Sequence, residues 1–323
     1  MGGAIFQNWY EGKTVVVTGG YGYLGTGLCE RLRGAGARLR RATRGRPNIE
    51  NDREARVGDI SDPAFCARLV DGADAVFHFG AQTSVPDSHA CPGDDLRANA
   101  QATLTLLEAC RHGGDMALVY AGTATAVGLP SQMPVGTGTP DQPVTVYDAT
   151  KLASENLVGV YRANGWVKGV CLRIANVYGP GPAKSASDRG VTNRIIARAL
   201  AGQDLVYYGD GNLLRDYVYV DDLLDAFFRV GTAAGSAAER YYVVAGGKGY
   251  SLREVFELIA DTVAGLGRAR VQVSSAPWPA TAHAIDRRNF VADISPLRAL
   301  CDWQPTTPLA EGVRKTAHFL VEG

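Results

Sequence analysis

Thr14-Val15-Val16-Val17-Thr18-Gly19-Gly20-Tyr21-Gly22-Tyr23-Leu24-Gly25 is the stretch that decides the fold. A β-branched run ends at a glycine turn. Leu24, Leu28 and Leu32 then recur four apart, the spacing of one helix face. The segment reads as strand, turn, helix. Outward from it, short strand-like runs fall at Ala37–Thr43, Ala55–Val57, Ala75–Phe79, Met116–Ala121 and Gly169–Ile174. Helical patterns cover Leu96–Arg111 and Tyr147–Asn164. Strands alternating with helices predict an α/β fold, a doubly wound parallel sheet of βαβ units.

The texture changes after the breaker Gly179-Pro180-Gly181-Pro182. Residues 183–190 read as loop. Shorter elements follow: helices at Val191–Ala201, Asp221–Val230 and Ser251–Leu266, strands at Leu205–Tyr208 and Arg240–Val244. The expected plan is a Rossmann-type domain over 1–180 and a smaller, interleaved C-terminal lobe over 181–323. Segments around 214–235 are expected to pack back on the first domain.

Composition narrows the function. The 323 residues hold 33 Lys+Arg and 33 Asp+Glu, so the net charge is zero. That argues against a nucleic-acid or membrane-surface partner, which needs a positive field. No apolar run nears the roughly 20 residues of a membrane span. Cys29, Cys66, Cys91, Cys110, Cys171 and Cys301 form no CxxC pair and fit no zinc spacing, so no metal site is expected. With no signal-type start in residues 1–13, a reducing, cytoplasmic setting is the expectation. Glycine is in excess, 39 residues in all, against an average near 7%.

Gly19, Gly22 and Gly25 supply part of the reason. Between a strand and a helix, glycines permit a tight turn and let a pyrophosphate approach the helix N-terminus. An ordinary tight turn would use the same residues. An acid that binds ribose is expected about 18 residues after Gly25; Thr43 stands there, followed by Arg44. A hydroxyl and a guanidinium suit a 2′-phosphate, so NADP is favoured and NAD is the alternative. Seven arginines and no acid lie between Arg31 and Arg46; a solvated basic edge is the competing reading.

Tyr147 and Lys151 are spaced i, i+4 and share a helix face. A phenol titrates near 10, too high for a base at neutral pH, and a nearby ammonium favours its ionised form. Such a pair can take or return a hydroxyl proton during hydride transfer. Thr123 ends the fifth strand, where a doubly wound sheet points residues into its ligand crevice. Its hydroxyl is expected to bond the reacting oxygen, with Thr125 the runner-up.

Here the chain resembles the extended short-chain dehydrogenase/reductases, specifically the nucleotide-sugar epimerase/dehydratase family, over nearly all its length. Thr18-Gly19-Gly20-Tyr21-Gly22-Tyr23-Leu24-Gly25 looks like the family's TGGxGxxG. Gly58-Asp59-Ile60 looks like the adenine-side segment. His78-Phe79-Gly80-Ala81-Gln82-Thr83-Ser84-Val85 is similar to HxAAxxxV, and Leu172 through Pro180 to LRxxNVYGP. The resemblance implies Thr123, Tyr147 and Lys151 as the catalytic set. It implies cofactor contacts from Gly19, Gly22, Tyr23, Leu24, Gly25, Thr43, Arg44, Asp59, Ile60, Phe79, Gly80, Ala81 and Asn99, together with Tyr147 and Lys151. On the substrate side it implies Ser84, Thr125, Asn176, Val206 and Tyr208, with Arg215 and Arg288 meeting a diphosphate. A planar guanidinium fork suits that task.

Within the family, dehydratases carry Asp-Glu after the catalytic Thr and decarboxylases Ser-Glu; here Ala124-Thr125 stands there. The expectation is therefore a nucleotide-sugar epimerase acting at a sugar carbon, carbon 4 first, on a nucleotide-diphosphate sugar. An NADPH-dependent 4-ketoreductase is the alternative, favoured by Thr43-Arg44. Helices at residues 97–112 and 147–163 would, by the same resemblance, pair two copies as a homodimer.

Overall fold

The computed structural model describes residues 8–45, 52–181 and 190–322. Arg46 and the loop expected at 183–189 lie outside the described residues. In chain order, β1 (Thr14–Thr18) passes through the glycine turn into α1 (Tyr23–Gly34), then β2 (Arg38–Thr43), β3 (Ala55–Val57), α2 (Pro63–Val70) and β4 (Ala75–His78). Next come α3 (Val85–Ala90), α4 (Pro92–Leu96), a π turn (Arg97–Gln101), α5 (Ala102–Gly113), β5 (Ala117–Thr123) and a 3₁₀ turn (Ala124–Val127). Then follow α6 (Val146–Ala163), β6 (Lys168–Ile174), β7 (Asn176–Tyr178), α7 (Gly190–Leu200), β8 (Leu205–Tyr208), β9 (Leu214–Tyr219) and α8 (Val220–Ala233). The chain ends with β10 (Tyr242–Val244), β11 (Gly249–Ser251), α9 (Leu252–Gly265), β12 (Val273–Ala276), α10 (Ser295–Cys301) and α11 (Leu309–Glu322).

Seven strands form one sheet in the order β10-β6-β5-β4-β1-β2-β3, parallel throughout. The order reverses between β1 and β4, the switch point where such sheets hold ligands. Alternate strand residues enter opposite cores. Val15, Val17, Phe77, Val119 and Leu172 pack in one, and Val16, Val76, Leu118, Tyr120 and Cys171 in the other. Burial on both faces explains why these strands read as unbroken apolar runs.

The last strand of the main sheet comes from beyond residue 181: β10 pairs with β6. Helix α8 also returns, Arg31 donating to Asp221 O at 3.0 Å. Two small sheets, β11-β9-β7 and β12-β8, make up the rest. The helix expected over Leu96–Arg111 is divided by the π turn. There the Asn99 side chain accepts from Gln82 N at 3.0 Å and donates to Thr150 Oγ1 at 3.1 Å. That inward task accompanies the widened turn, as such bulges often do near sites.

A buried ion network fastens the segment before α6. Arg173 grips Glu155 with two bonds of 2.8 Å and stands 2.7 Å from Asp141, which also meets Arg240. Its guanidinium lies 3.5 Å over the Tyr241 ring. Among the described residues no helix is long and apolar enough to cross a membrane, and no group of three His, Cys, Asp or Glu could hold a metal.

Candidate active site

The glycine turn ends β1 at the switch point. Gly19 has φ 65°, a left-handed conformation that favours glycine. A Cβ on Gly25 would lie 2.2 Å from Gly19 O, so only glycine fits there. Helix α1 opens at Gly22 with no side-chain cap and no acid in its first turn. Its N–H groups are left to an anion, and a dinucleotide pyrophosphate fits that cradle. A Cβ on Gly19 would come within 3.0 Å of Gly80 N, and one on Gly80 within 3.1 Å of Ile60. The turn, Phe79–Gly80 and Ile60 thus converge. Leu24 and the Phe79 ring pack into the core, the latter 4.7 Å from Phe227. Tyr23 donates to Gly179 O at 3.0 Å. Ala81 is half-buried beside them.

Beneath this cradle His78 is buried with both ring nitrogens used. Nδ1 lies 2.7 Å from Thr18 Oγ1 and Nε2 3.0 Å from Thr103 Oγ1. Thr103 donates its proton to Asn99 O at 2.7 Å, so Nε2 is the donor to Thr103 and Nδ1 accepts from Thr18. The imidazole is therefore neutral, and burial lowers its pKa from 6.5 to about 3. The unfolded chain takes up a proton below 6.5 and the native chain does not. Neutral His78 thus favours the fold at pH above 6.5, and that stability is lost as pH falls toward 3. Between pH 6.5 and 5 the expected loss is about 2 kcal/mol. Urea unfolding at pH 7 and pH 5 checks this: His78→Gln should flatten the difference, and an unchanged difference would place the acid sensitivity elsewhere.

The arginines of α1 and β2 are largely engaged. Arg33 binds Glu54 through two bonds, of 2.7 and 3.1 Å. Arg41 donates to Gly20 O and lies 3.9 Å over the Tyr21 ring, near Asp52. Arg40 donates to Leu69 O and Asp71 O. Thr43 is half-buried at the strand end, and Arg44 is exposed. Arg44 is among the charges that hold the Asp59 carboxyl below the usual range, after the bond from Ser61 N.

Thr123, Tyr147 and Lys151 come together where β5 ends and α6 begins. Thr145 caps α6, accepting from Asp148 N at 3.0 Å. The Lys151 ammonium is buried and donates to Ala121 O at 2.7 Å; burial lowers its pKa to about 8. Tyr147 differs from expectation. In place of a phenol lowered by a nearby ammonium, burial dominates and pushes it up to about 12. The bond from Thr123 opposes this, and the Asp148 and Asp95 carboxylates add to it. Thr123 Oγ1 lies 2.7 Å from Thr125 Oγ1, and Thr125 donates to the buried Asp148.

Several other residues have tasks within the fold. The Ser84 hydroxyl caps α3, accepting from Asp87 N at 3.2 Å. Asn176 donates to Asp216 O at 2.8 Å. The Arg215 guanidinium donates to Asp286 O at 2.6 Å and to Arg288 O, holding the segment that carries Arg288. Arg288 donates to Ile285 O at 3.0 Å, while its Nε is buried without a partner. Burial and the like charge of Arg215 lower its pKa to about 10. Two guanidiniums packed this way favour an anion beside them. Arg288 lines a cleft of about 450 Å³ with Leu129, Pro130, Ala282, Ala284, Arg287 and Asn289. Val206 and Tyr208 are exposed on β8, and the Tyr208 ring lies 5.4 Å from Trp278. Trp278 carries no signal in the chain, because the β12–β8 pairing that delivers it joins distant segments. Asp148 is visible inside Tyr147-Asp148-Ala149-Thr150-Lys151 but reads there as a helix-start acid.

The model of the NAD-dependent epimerase/dehydratase family matches residues 15–245. The chain belongs to this family. The UDP-glucose 4-epimerase of Mycolicibacterium smegmatis is 32% identical over 318 residues, covering 94% of this chain and 97% of the relative. A dTDP-glucose 4,6-dehydratase of Xanthomonas campestris pv. campestris is 30% identical over 281 residues, covering 81% and 77%. The structure of a UDP-glucose 4-epimerase from Thermus thermophilus, a complex with NAD, has 31% identity and a TM-score of 0.79, over 95% of this chain and 99% of that one. Family membership and the parallel sheet agree with the extended short-chain dehydrogenase/reductase reading. The family includes epimerases and dehydratases alike.

Proposed function

We propose that this family member is a nucleotide-sugar epimerase acting by transient oxidation at carbon 4, with Tyr147 as acid and base. The observation that carries it is the meeting of Thr123, Tyr147 and Lys151 at the C-terminal edge of the sheet, beside a cleft whose buried Arg288 Nε lacks a partner. The full-length relatives named UDP-glucose 4-epimerase support the sugar nucleotide as substrate. Ala124-Thr125, in place of the acid pair expected after Thr123, argues against a dehydratase.

The Gly19–Gly25 turn, Ile60 and Gly80 would hold a nicotinamide cofactor, which when bound would supply the hydride acceptor and donor. The chain's own groups handle the proton and the pose. Tyr147 takes the proton of the sugar hydroxyl and returns it, and Thr123 holds that oxygen. Lys151 favours the phenolate. Arg288 meets the diphosphate from a position that Arg215 holds, and the Tyr208 and Trp278 rings offer a face to the base. Thr43-Arg44 supports the second reading, an NADPH-dependent 4-ketoreductase. Denaturing the purified protein and identifying any released nucleotide separates the two. Retained NAD or NADP favours the epimerase; an empty protein that oxidises NADPH with a 4-keto sugar favours the reductase.

Arg44 supports NADP, while the family's name and the NAD complex of the Thermus relative support NAD. Arg44→Ala is expected to weaken NADP about tenfold and NAD much less, because one exposed charge-assisted bond to phosphate is lost. Titration of both cofactors checks it, and equal weakening would show that Arg44 does not read a 2′-phosphate.

A further inference from the structure

Four side chains close a ring between the wall of the glycine cradle and α6. Gln82 follows Gly80 in the loop after β4, Asp95 lies on α4, Asn99 on the π turn, and Thr150 on α6 between Tyr147 and Lys151. Asp95, Asn99 and Thr150 are buried. Backbone N–H groups fix which way the amides face. Gln82 N donates to Asn99 Oδ1 at 3.0 Å, so Asn99 turns its amide nitrogen to Thr150 Oγ1, at 3.1 Å. Thr150 thereby accepts, and its own proton goes to Asp95 Oδ2, with Tyr147 O the longer contact at 3.1 Å. Ser84 N donates to Gln82 Oε1, so Gln82 Nε2 faces Asp95 Oδ1 and Ser84 O, each at 2.8 Å. Asp95 therefore receives one bond on each oxygen, from two different elements.

We propose that Asp95 is a positioning residue for the hydride-transfer step, setting where Tyr147 stands relative to the nicotinamide by tying Gln82 to Thr150. The inference rests on the epimerase reading above. The Gln82 end of the tie is anchored on the cofactor side, because Gly80 packs against Gly19 and Ile60. The Thr150 end lies within the one helical turn that runs from Tyr147 to Lys151. The segment between the two ends adds a second hold on α6, Ser88 Oγ accepting from Tyr147 N at 3.2 Å. Tyr147 has to meet the sugar hydroxyl while the hydride of the same carbon faces the nicotinamide. A misplacement of about 1 Å between those two walls costs about 10²-fold in rate.

Charge does not account for Asp95. Its carboxylate adds to the upward push on Tyr147 and so opposes the phenolate. Its reach does account for it: one short side chain touches both walls at once. An asparagine could keep both contacts, its oxygen accepting from Gln82 Nε2 and its nitrogen donating to Thr150, whose proton would turn to Tyr147 O. An alanine could keep neither. Shape and charge are thus separable by substitution.

The test uses the full chain loaded with its nicotinamide cofactor, with UDP-glucose as the probe substrate. Asp95→Ala is expected to lower kcat about 10²-fold, with KM and cofactor Kd close to the parent values. Thr150→Val cuts only the α6 side of the tie and leaves the carboxylate in place; it should lose a similar factor. Combining the two should be no slower than Asp95→Ala alone, because both cut the same link. Asp95→Asn should recover most of the rate. Parent kcat in Asp95→Ala overturns the proposal. So does an Asp95→Asn protein as slow as Asp95→Ala, which would assign the effect to charge. A rise of KM and cofactor Kd in step with the loss of kcat would mark Asp95 as general scaffolding and overturn it too. A parent protein inactive on every UDP-sugar counts against the epimerase reading instead. In that case hydrogen exchange of the cofactor-loaded protein decides the tie without turnover. Asp95→Ala should speed exchange about tenfold in residues 80–84 and 146–151 together, and Asp95→Asn should leave both near the parent. Unchanged exchange in either segment of Asp95→Ala overturns the link.

Discussion

Replacing Tyr147 with phenylalanine is expected to lower turnover about 10³-fold while nicotinamide cofactor still binds with nearly parental affinity. The substitution removes one oxygen and keeps the ring. The cradle formed by Gly19, Gly25, Ile60 and Gly80 lies on other elements and is untouched. Its fold should hold too, because α6 is secured elsewhere, by the Thr145 cap and the Lys151 bond to Ala121 O. Paired measurements of kcat and cofactor Kd check the prediction. Turnover near the parent's would remove Tyr147 from the acid/base role; loss of cofactor binding would mean that the phenol is structural.

The second large effect is on stability. Arg173→Met should cost about 3–5 kcal/mol, because it leaves Glu155 and Asp141 without their shared countercharge. Glu155 is almost wholly buried and receives two bonds from that one guanidinium. Arg240 reaches Asp141 but is more exposed and stands 3.9 Å from Glu155, so it replaces little of the lost pairing. Arg173→Lys keeps the charge but loses the fork and should fall between. Guanidinium unfolding measures both, and a Met variant as stable as the parent would show that the network adds nothing net. Asp141 lies in the loop leading to α6, so the same variant should also loosen the approach to Tyr147.

Much of the main sheet could be read from the chain, because strands buried on both faces leave continuous apolar runs such as Val15-Val16-Val17 and Ala75-Val76-Phe77. The glycine turn was legible for a related reason: Gly25 sits where any Cβ would meet Gly19 O. Short strands of the three-stranded sheet were not. Asn176–Tyr178 and Gly249–Ser251 are three residues each, too brief to show a period, and their pairing with β9 comes from the tertiary fold. At the site, residue types pointed to Thr123, Tyr147 and Lys151, but direction was hidden. Nothing in the sequence says that Arg215 turns to backbone carbonyls, that Ser84 caps a helix, or that Asp148 faces inward. Those outcomes depend on which neighbour arrives within bonding distance.

The pairing of β10 with β6 also bears on how the molecule is made. Synthesis proceeds from the N-terminus, and residues 242–244 emerge long after β6. Until they do, β6 stands as a bare edge with an unpaired ladder, the kind of edge that recruits other chains. Segments of the smaller lobe, β8 and β9 among them, are extruded before the large sheet is complete. The nascent chain must therefore hold its half-finished sheet in reserve while it builds the lobe beside it, and a ribosome stalled between the two would release an open, association-prone edge.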